Sequence, residues 1–172
     1  LDDQDLNQKL DGIIYREKYR IRIYDSDKLF GKFEVKRKLN QVIEKISIEL
    51  SESDIQNIIS GNYSILKKDP DLAYVAYRMK YNNYIPKTIV EYFRQAYYLP
   101  INNIRVTIDS NLSGYGFKEE FSNIQSLKSN KIQKLGYDIL EVKFNGSIPR
   151  SILDMLSAFP IRQSAISKYA LS

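Results

Sequence analysis

The chain contains no His and no Cys among its 172 residues. That removes the imidazole base, the thiol nucleophile, disulfides, and the Cys- or His-based zinc and haem sites. A Ser-His-Asp triad is excluded on the same ground. Carboxylates, Lys, Arg, Tyr and hydroxyls are left for chemistry, and a metal used by that set is a hard, oxygen-loving cation such as Mg²⁺ or Mn²⁺. These groups are patterned. Lys18, Arg20 and Arg22 recur at every second residue, as do Glu34, Lys36 and Lys38. Lys45, Ser47 and Glu49 repeat the spacing, followed by Arg105, Thr107 and Asp109, and by Glu141 and Lys143. Cations in rows with few acids between them suit a polyanion, above all the oxygens of a phosphate chain.

The spacing also names the elements that hold these groups. Successive side chains alternate across a β-sheet. Strands are therefore expected over Ile13 to Tyr24, Gly31 to Leu39, Glu44 to Leu50, Thr88 to Tyr98, Ile104 to Asp109 and Tyr137 to Phe144. Opposite the charges lie Tyr19, Ile21 and Ile23, then Phe33 and Val35, then Ile46, Ile48 and Leu50. Ile104, Val106 and Ile108 continue the set, with Leu140, Val142 and Phe144. Any one strand reads as half of an antiparallel sheet whose polar face meets water. The agreement of five strands says more, because like charges facing one another across neighbouring strands are destabilising without a counter-anion. A concave or closed sheet, apolar side under helices and basic side inward, is the natural container. Helices are expected after a Ser53 cap and ending before Gly61, after Asp69-Pro70, and after Ser147 with Pro149 in the first turn. Arg162 to Ala170 reads as a final short helix.

With 43% hydrophobic and 27% charged residues, the chain fits one globular domain spanning 1–172. Lys and Arg number 26 against 21 Asp and Glu, a net charge of +5. No repeat or Pro/Gly/Ser-rich linker divides it. No stretch approaches the roughly 18 apolar residues that cross a bilayer, and Leu1-Asp2-Asp3 is the opposite of a signal peptide's basic flank. A soluble, cytoplasmic protein is expected. The start at Leu1, directly inside a patterned segment, leads us to expect an excised piece of a longer chain.

Several segments, in order, resemble a known family. They are Tyr19-Arg20-Ile21-Arg22-Ile23-Tyr24, Phe33-Glu34-Val35-Lys36-Arg37-Lys38, Tyr92-Phe93-Arg94-Gln95-Ala96-Tyr97, Ile104-Arg105-Val106-Thr107-Ile108-Asp109, Leu140-Glu141-Val142-Lys143 and Ser167-Lys168-Tyr169. This order is similar to that of the vacuolar transporter chaperone (VTC) domain, a branch of the triphosphate tunnel metalloenzymes, or CYTH superfamily. The resemblance covers nearly the whole chain, from the Asp11-Gly12 turn to Tyr169. It implies an α+β fold, an eight-stranded antiparallel barrel with flanking helices. It also implies a polyphosphate polymerase, which moves the γ-phosphate of ATP onto inorganic polyphosphate with Mn²⁺ or Mg²⁺. By the same resemblance, Arg20 and Arg22 match paired arginines of the tunnel wall, Lys36 the lysine of the Glu-x-Lys strand, and Lys45 the next wall lysine. Arg94 and Arg105 match the two later tunnel arginines, Ser167 and Lys168 the pair closing the C-terminal end, and Glu141 the metal-holding carboxylate. Lys18, Lys38, Lys143 and Glu34 join them from the alternation alone, the first three as substrate contacts and Glu34 toward the metal. The superfamily usually opens with an acidic and lysine-bearing strand, which Leu1 to Leu10 does not supply, so an N-terminally truncated tunnel is expected. The partners implied are ATP and polyphosphate or phosphate, with an attached or partner membrane protein.

Other readings compete. A phosphate or polyphosphate binding module keeps the fold without the chemistry, and a triphosphatase or nucleotide cyclase keeps the tunnel with another product. A nucleic-acid binder would use the basic charge and the 14 tyrosines, but it needs exposed aromatics on the charged face, and Tyr19, Phe33 and Phe144 lie opposite it. Tyr92 beside Arg94 is the exception. Nucleic acid is therefore not the expected partner. Tyr74, Tyr77 and Tyr81 read as core or rim packing. Asp109 reads as a strand-end cap for Ser110-Asn111 ahead of any metal role, and Glu34 equally as a neutraliser of Lys36 or Lys143. Arg37 and Arg150 read as solvated charges, and Glu44 as a surface acid.

Overall fold

The computed structural model describes residues 15–25, 30–40, 42–116, 133–134, 136–164, 166 and 168. The expected absence of a leading strand falls on residues 1–14 and, like the site residue Ser167, lies outside the described residues. The described residues form two compact units, 15–86 and 87–168.

In the first unit, β1 (Tyr15–Asp25), β2 (Phe30–Leu39) and β3 (Val42–Leu50) form an antiparallel sheet in the order β1-β2-β3. β-branched residues on alternate positions make these strands, and their apolar face is covered by helices. Helix α1 (Glu52–Ile59) contributes Ile55 and Ile58, the 3-10 turn Ser64–Lys68 contributes Leu66, and α2 (Pro70–Tyr81) contributes Leu72, Val75, Ala76 and Met79. They bury Phe33, Val35 and Leu50 of the sheet in one core. The α1 cap is Ser51, not Ser53. Its hydroxyl accepts from the backbone N–H of Asp54, whose carboxylate accepts from the N–H of Ser51, a reciprocal capping box. Asp69 caps α2 by accepting from the N–H of Asp71, with Pro70 in the first turn as expected.

Three readings of this unit change. Tyr74, Tyr77 and Tyr81 are exposed, not core, because the spacing of Leu72, Val75, Ala76 and Met79 turns the opposite face of α2 outward. Arg37 is not a solvated charge: its Nε donates to Glu17 Oε1 at 2.6 Å and its NH2 to the carbonyl of Asp71 at 3.1 Å. Glu44 is not an isolated acid, since it accepts from Arg37 NH1 at 3.2 Å. At the centre of this group the Glu17 side chain, 1% exposed, also accepts from Tyr19 and from Arg78 of α2. Burial pushes the Glu17 pKa up, but the Tyr19, Tyr15 and Arg37 hydrogen bonds and the Arg78 charge outweigh it, leaving the carboxyl below its usual range.

In the second unit, β4 (Thr88–Leu99) runs through the 3-10 turn Ile101–Asn103 into β5 (Ile104–Gly116). β5 is the hub, pairing antiparallel with β4, with β6 (Gln133–Lys134) and with β7 (Ile139–Lys143). Asn102 and Asn103 take positive φ in the turn, a conformation Asn tolerates. β5 continues well past Asp109, where the alternation stops being legible. There, Asn111 has a φ of 52°, and the β4–β5 register shifts between Glu91 and Phe93, so a bulge reverses the face of each later residue. Helix α3 (Arg150–Ser157) begins after Pro149 and buries none of its residues. Arg150 is exposed and pairs with Asp154 one turn on. Among the described residues of the expected final helix, 162–164 and 166 are not helical, and Lys168 lies in a 3-10 turn.

The fold is α+β with two antiparallel sheets, and among the described residues the strands do not close into a barrel. No described helix is long and apolar enough to cross a membrane.

Candidate functional site

On the first sheet the alternation becomes a two-dimensional pattern. Lys18 is registered against Lys36, and Lys36 against Lys45, so one cross-strand row carries three lysines. The next row sets Arg20 against Glu34 and Ser47, and the one beyond it Arg22 against Lys32 and Glu49. Lys38 lies on the same face, opposite Arg16 and Ile43. Glu34 bridges two of these cations: Arg20 Nε donates to Oε2 at 2.6 Å, and Arg22 Nε lies 3.4 Å from Oε1. Both arginines on β1 are thus partners of Glu34. The Arg22 guanidinium also sits 5.8 Å from the Tyr24 ring centroid. Lys32 pairs with Glu49 at 3.4 Å.

The second unit carries its own charged face. Arg105 is registered directly against Lys143, and Thr107 against Glu141. The Glu141 side chain is 43% exposed and lies 3.2 Å from Lys143 Nζ. Opposite it, the Thr107 hydroxyl is buried and has no hydrogen-bond partner. On the β4 side, Arg94 is registered against Asp109 and grips it with a two-pronged fork, Nε to Oδ1 at 2.6 Å and NH2 to Oδ2 at 2.7 Å. Lys168 pairs with the same Oδ2. Both cations lie over one ring, with Arg94 at 5.2 Å and Lys168 at 4.8 Å from the centroid of Tyr92. The Asp109 side chain is 0% exposed. It is therefore not a turn cap but a buried counter-ion to two of the predicted site cations. Burial raises its pKa, yet the Arg94 and Lys168 hydrogen bonds and charges prevail and hold it below the usual carboxylate range. Arg94 is correspondingly raised, chiefly by its hydrogen bonds to Asp109.

These acids differ in what they can offer a cation. Both oxygens of Asp109 are taken up by Arg94 and Lys168, and those of Glu34 by Arg20 and Arg22. Glu141 is half exposed and stands opposite an unpartnered hydroxyl. One half-exposed carboxylate is the kind of group that would hold a water-rich Mg²⁺ or Mn²⁺. Among the described residues, no group of three or more acids forms a closed metal cage.

A model of the VTC domain family matches residues 1–172. The chain belongs to that family. No curated protein matches it. VTC domains are a branch of the triphosphate tunnel metalloenzymes, and membership relates the chain to polyphosphate polymerases.

For this VTC domain, sequence patterning finds most cations of both faces but misses several neighbours. Arg16 and Lys32 sit in the same alternation as Lys18 and Glu34 and were legible there. Tyr92, two residues before Arg94, was already legible as the aromatic on a charged face, and Arg94 does lie over its ring. The pairing of Asp109 with Lys168 had no sequence signal, because residues far apart in the chain meet only after folding.

Proposed function

We propose that this chain is a polyphosphate polymerase-type domain, in which a tunnel-type fold transfers the γ-phosphate of ATP onto a polyphosphate chain. The observation that supports the reading most strongly is the Lys18–Lys36–Lys45 row. Three lysines registered side by side concentrate positive charge along one line across the strands, a pattern that the spaced negative charges of a polyanion would match. Phosphoryl transfer asks little covalent chemistry of a protein; it asks for in-line alignment and charge neutralisation on the non-bridging oxygens.

In this reading the lysine row and Lys38 hold phosphate oxygens as point charges. Arg20 and Arg22, aimed by Glu34, supply directed forks. Arg105 and Lys143 form a second cationic pair, and Arg94 and Lys168 a third. Glu141 is the residue that would hold Mn²⁺ or Mg²⁺, with Glu34 acting on the arginines. When bound, the metal would neutralise charge shared between neighbouring phosphates. An oxygen at the end of the phosphate chain attacks the γ-phosphorus. The new P–O bond forms as the bond from that phosphorus to the β–γ bridging oxygen breaks, and ADP leaves with that oxygen. The same reading includes a cytoplasmic location and an attached or partner membrane protein.

Incubation with ATP and Mn²⁺ tests it. Long-chain polyphosphate is the expected product; orthophosphate alone would make the domain a triphosphatase, and cyclic nucleotide a cyclase. Tight tripolyphosphate binding with no product would reduce it to a binding module.

A further inference from the structure

We propose that Asp109 is a positioning residue, which sets Arg94 and Lys168 as a paired clamp for one phosphoryl group; the proposal rests on the phosphoryl-transfer reading above. Asp109 is fully buried and cannot itself meet a ligand, whereas the Arg94 and Lys168 side chains are 32% and 25% exposed. It therefore acts through them. The fork from Arg94 occupies Nε and NH2, which fixes the guanidinium plane and leaves the NH1 edge without a bond to Asp109. Lys168 gives one of its ammonium donors to Oδ2 and keeps others for an anion. Two cations share one carboxylate, so the group keeps an excess positive charge, matched to a partner of negative charge. Tyr92 lies under both and offers its ring face to each.

The physical need is orientation. A lysine on a flexible four-carbon stem neutralises phosphate from many geometries, but transfer requires one, and a buried counter-ion sets it before the substrate arrives. Asp109 also opposes anion binding by its own charge. A positioning role therefore predicts that affinity and turnover respond in opposite senses, which a purely structural ion pair does not.

The test compares the native chain with Asp109→Asn, which keeps the shape and removes the charge. Tripolyphosphate affinity should stay within about threefold of native or tighten, while polyphosphate synthesis falls by about tenfold or more, the signature of lost alignment. Arg94→Lys, which keeps the charge and removes the fork, should show the same split and guards against a misfolded Asp109 variant. Parallel loss of affinity and turnover in both variants, or no change in either, would overturn the proposal. A third readout needs no turnover: acetylation of Lys168 by an amine-reactive ester, followed by mass spectrometry. Its rate should rise about fivefold in Asp109→Asn as the amine loses its ion-pair partner. An unchanged rate would overturn the proposal. If the native chain makes no polyphosphate, the polymerase reading fails alone, and the affinity and acetylation arms still decide the role of Asp109.

Discussion

Glu141 and Glu34 are both acids among cations, and removing the charge of each separates their roles. Glu141→Gln should abolish metal-dependent turnover while tripolyphosphate binding in the absence of metal is largely kept, since the basic residues remain. Unchanged turnover in a Mn²⁺ titration would remove Glu141 as the metal ligand. Glu34→Gln should act in the other direction. Its carboxylate is committed to Arg20 and Arg22, so losing it frees two guanidiniums, and metal-free tripolyphosphate affinity should rise about threefold to tenfold, or roughly 1 kcal/mol. Calorimetry showing weaker binding would return Glu34 to the ligand set.

Among the elements, the β1–β2 pair has the least room for change. A Cβ added to Gly31 would overlap the carbonyl oxygen of Arg22, a backbone atom of the neighbouring strand that cannot rotate away. Gly31→Ala should therefore cost about 1–3 kcal/mol in urea unfolding, the usual range for forcing volume into a packed site. The same sheet is tied to α2 through Glu17, Arg37 and Arg78. Because Glu17 titrates below its reference value of 4.5 when folded, its stabilisation is complete above that pH and is lost as the pH falls through the folded value. Glu17→Gln should cost about 2–3 kcal/mol at pH 7, less than a fully buried pair because both arginines are partly exposed, and should flatten the acid side of the stability profile. A profile as steep as that of the native chain would show that another group controls acid unfolding.

Charge is the property of the whole molecule that the proposed function uses. Net charge alone is modest at +5, so polyanion binding must come from where the cations lie. Replacing Arg20 and Arg22 together by Ala should weaken tripolyphosphate binding and reduce the slope of its salt dependence, since fewer counter-ions are displaced. An unaltered slope would place the bound anion elsewhere.

Strands and helices were largely legible in the sequence because burial of one face imposes a period of two or 3.6 on the residues themselves. So was the identity of the charged faces, since Lys18, Arg20 and Arg22 share one side of β1 wherever that strand lies. β6 is two residues long and the end of β5 lies beyond a bulge, so neither leaves a periodic trace. What sequence alone could not determine is register and long-range partnership. That Lys36 stands between Lys18 and Lys45, that Glu17 meets Arg78, and that Asp109 holds Lys168 are results of the tertiary structure. The reason is physical: alternation is a local consequence of backbone geometry, whereas the partner of a buried charge is chosen by which distant strand or segment folding brings within a few ångströms of it.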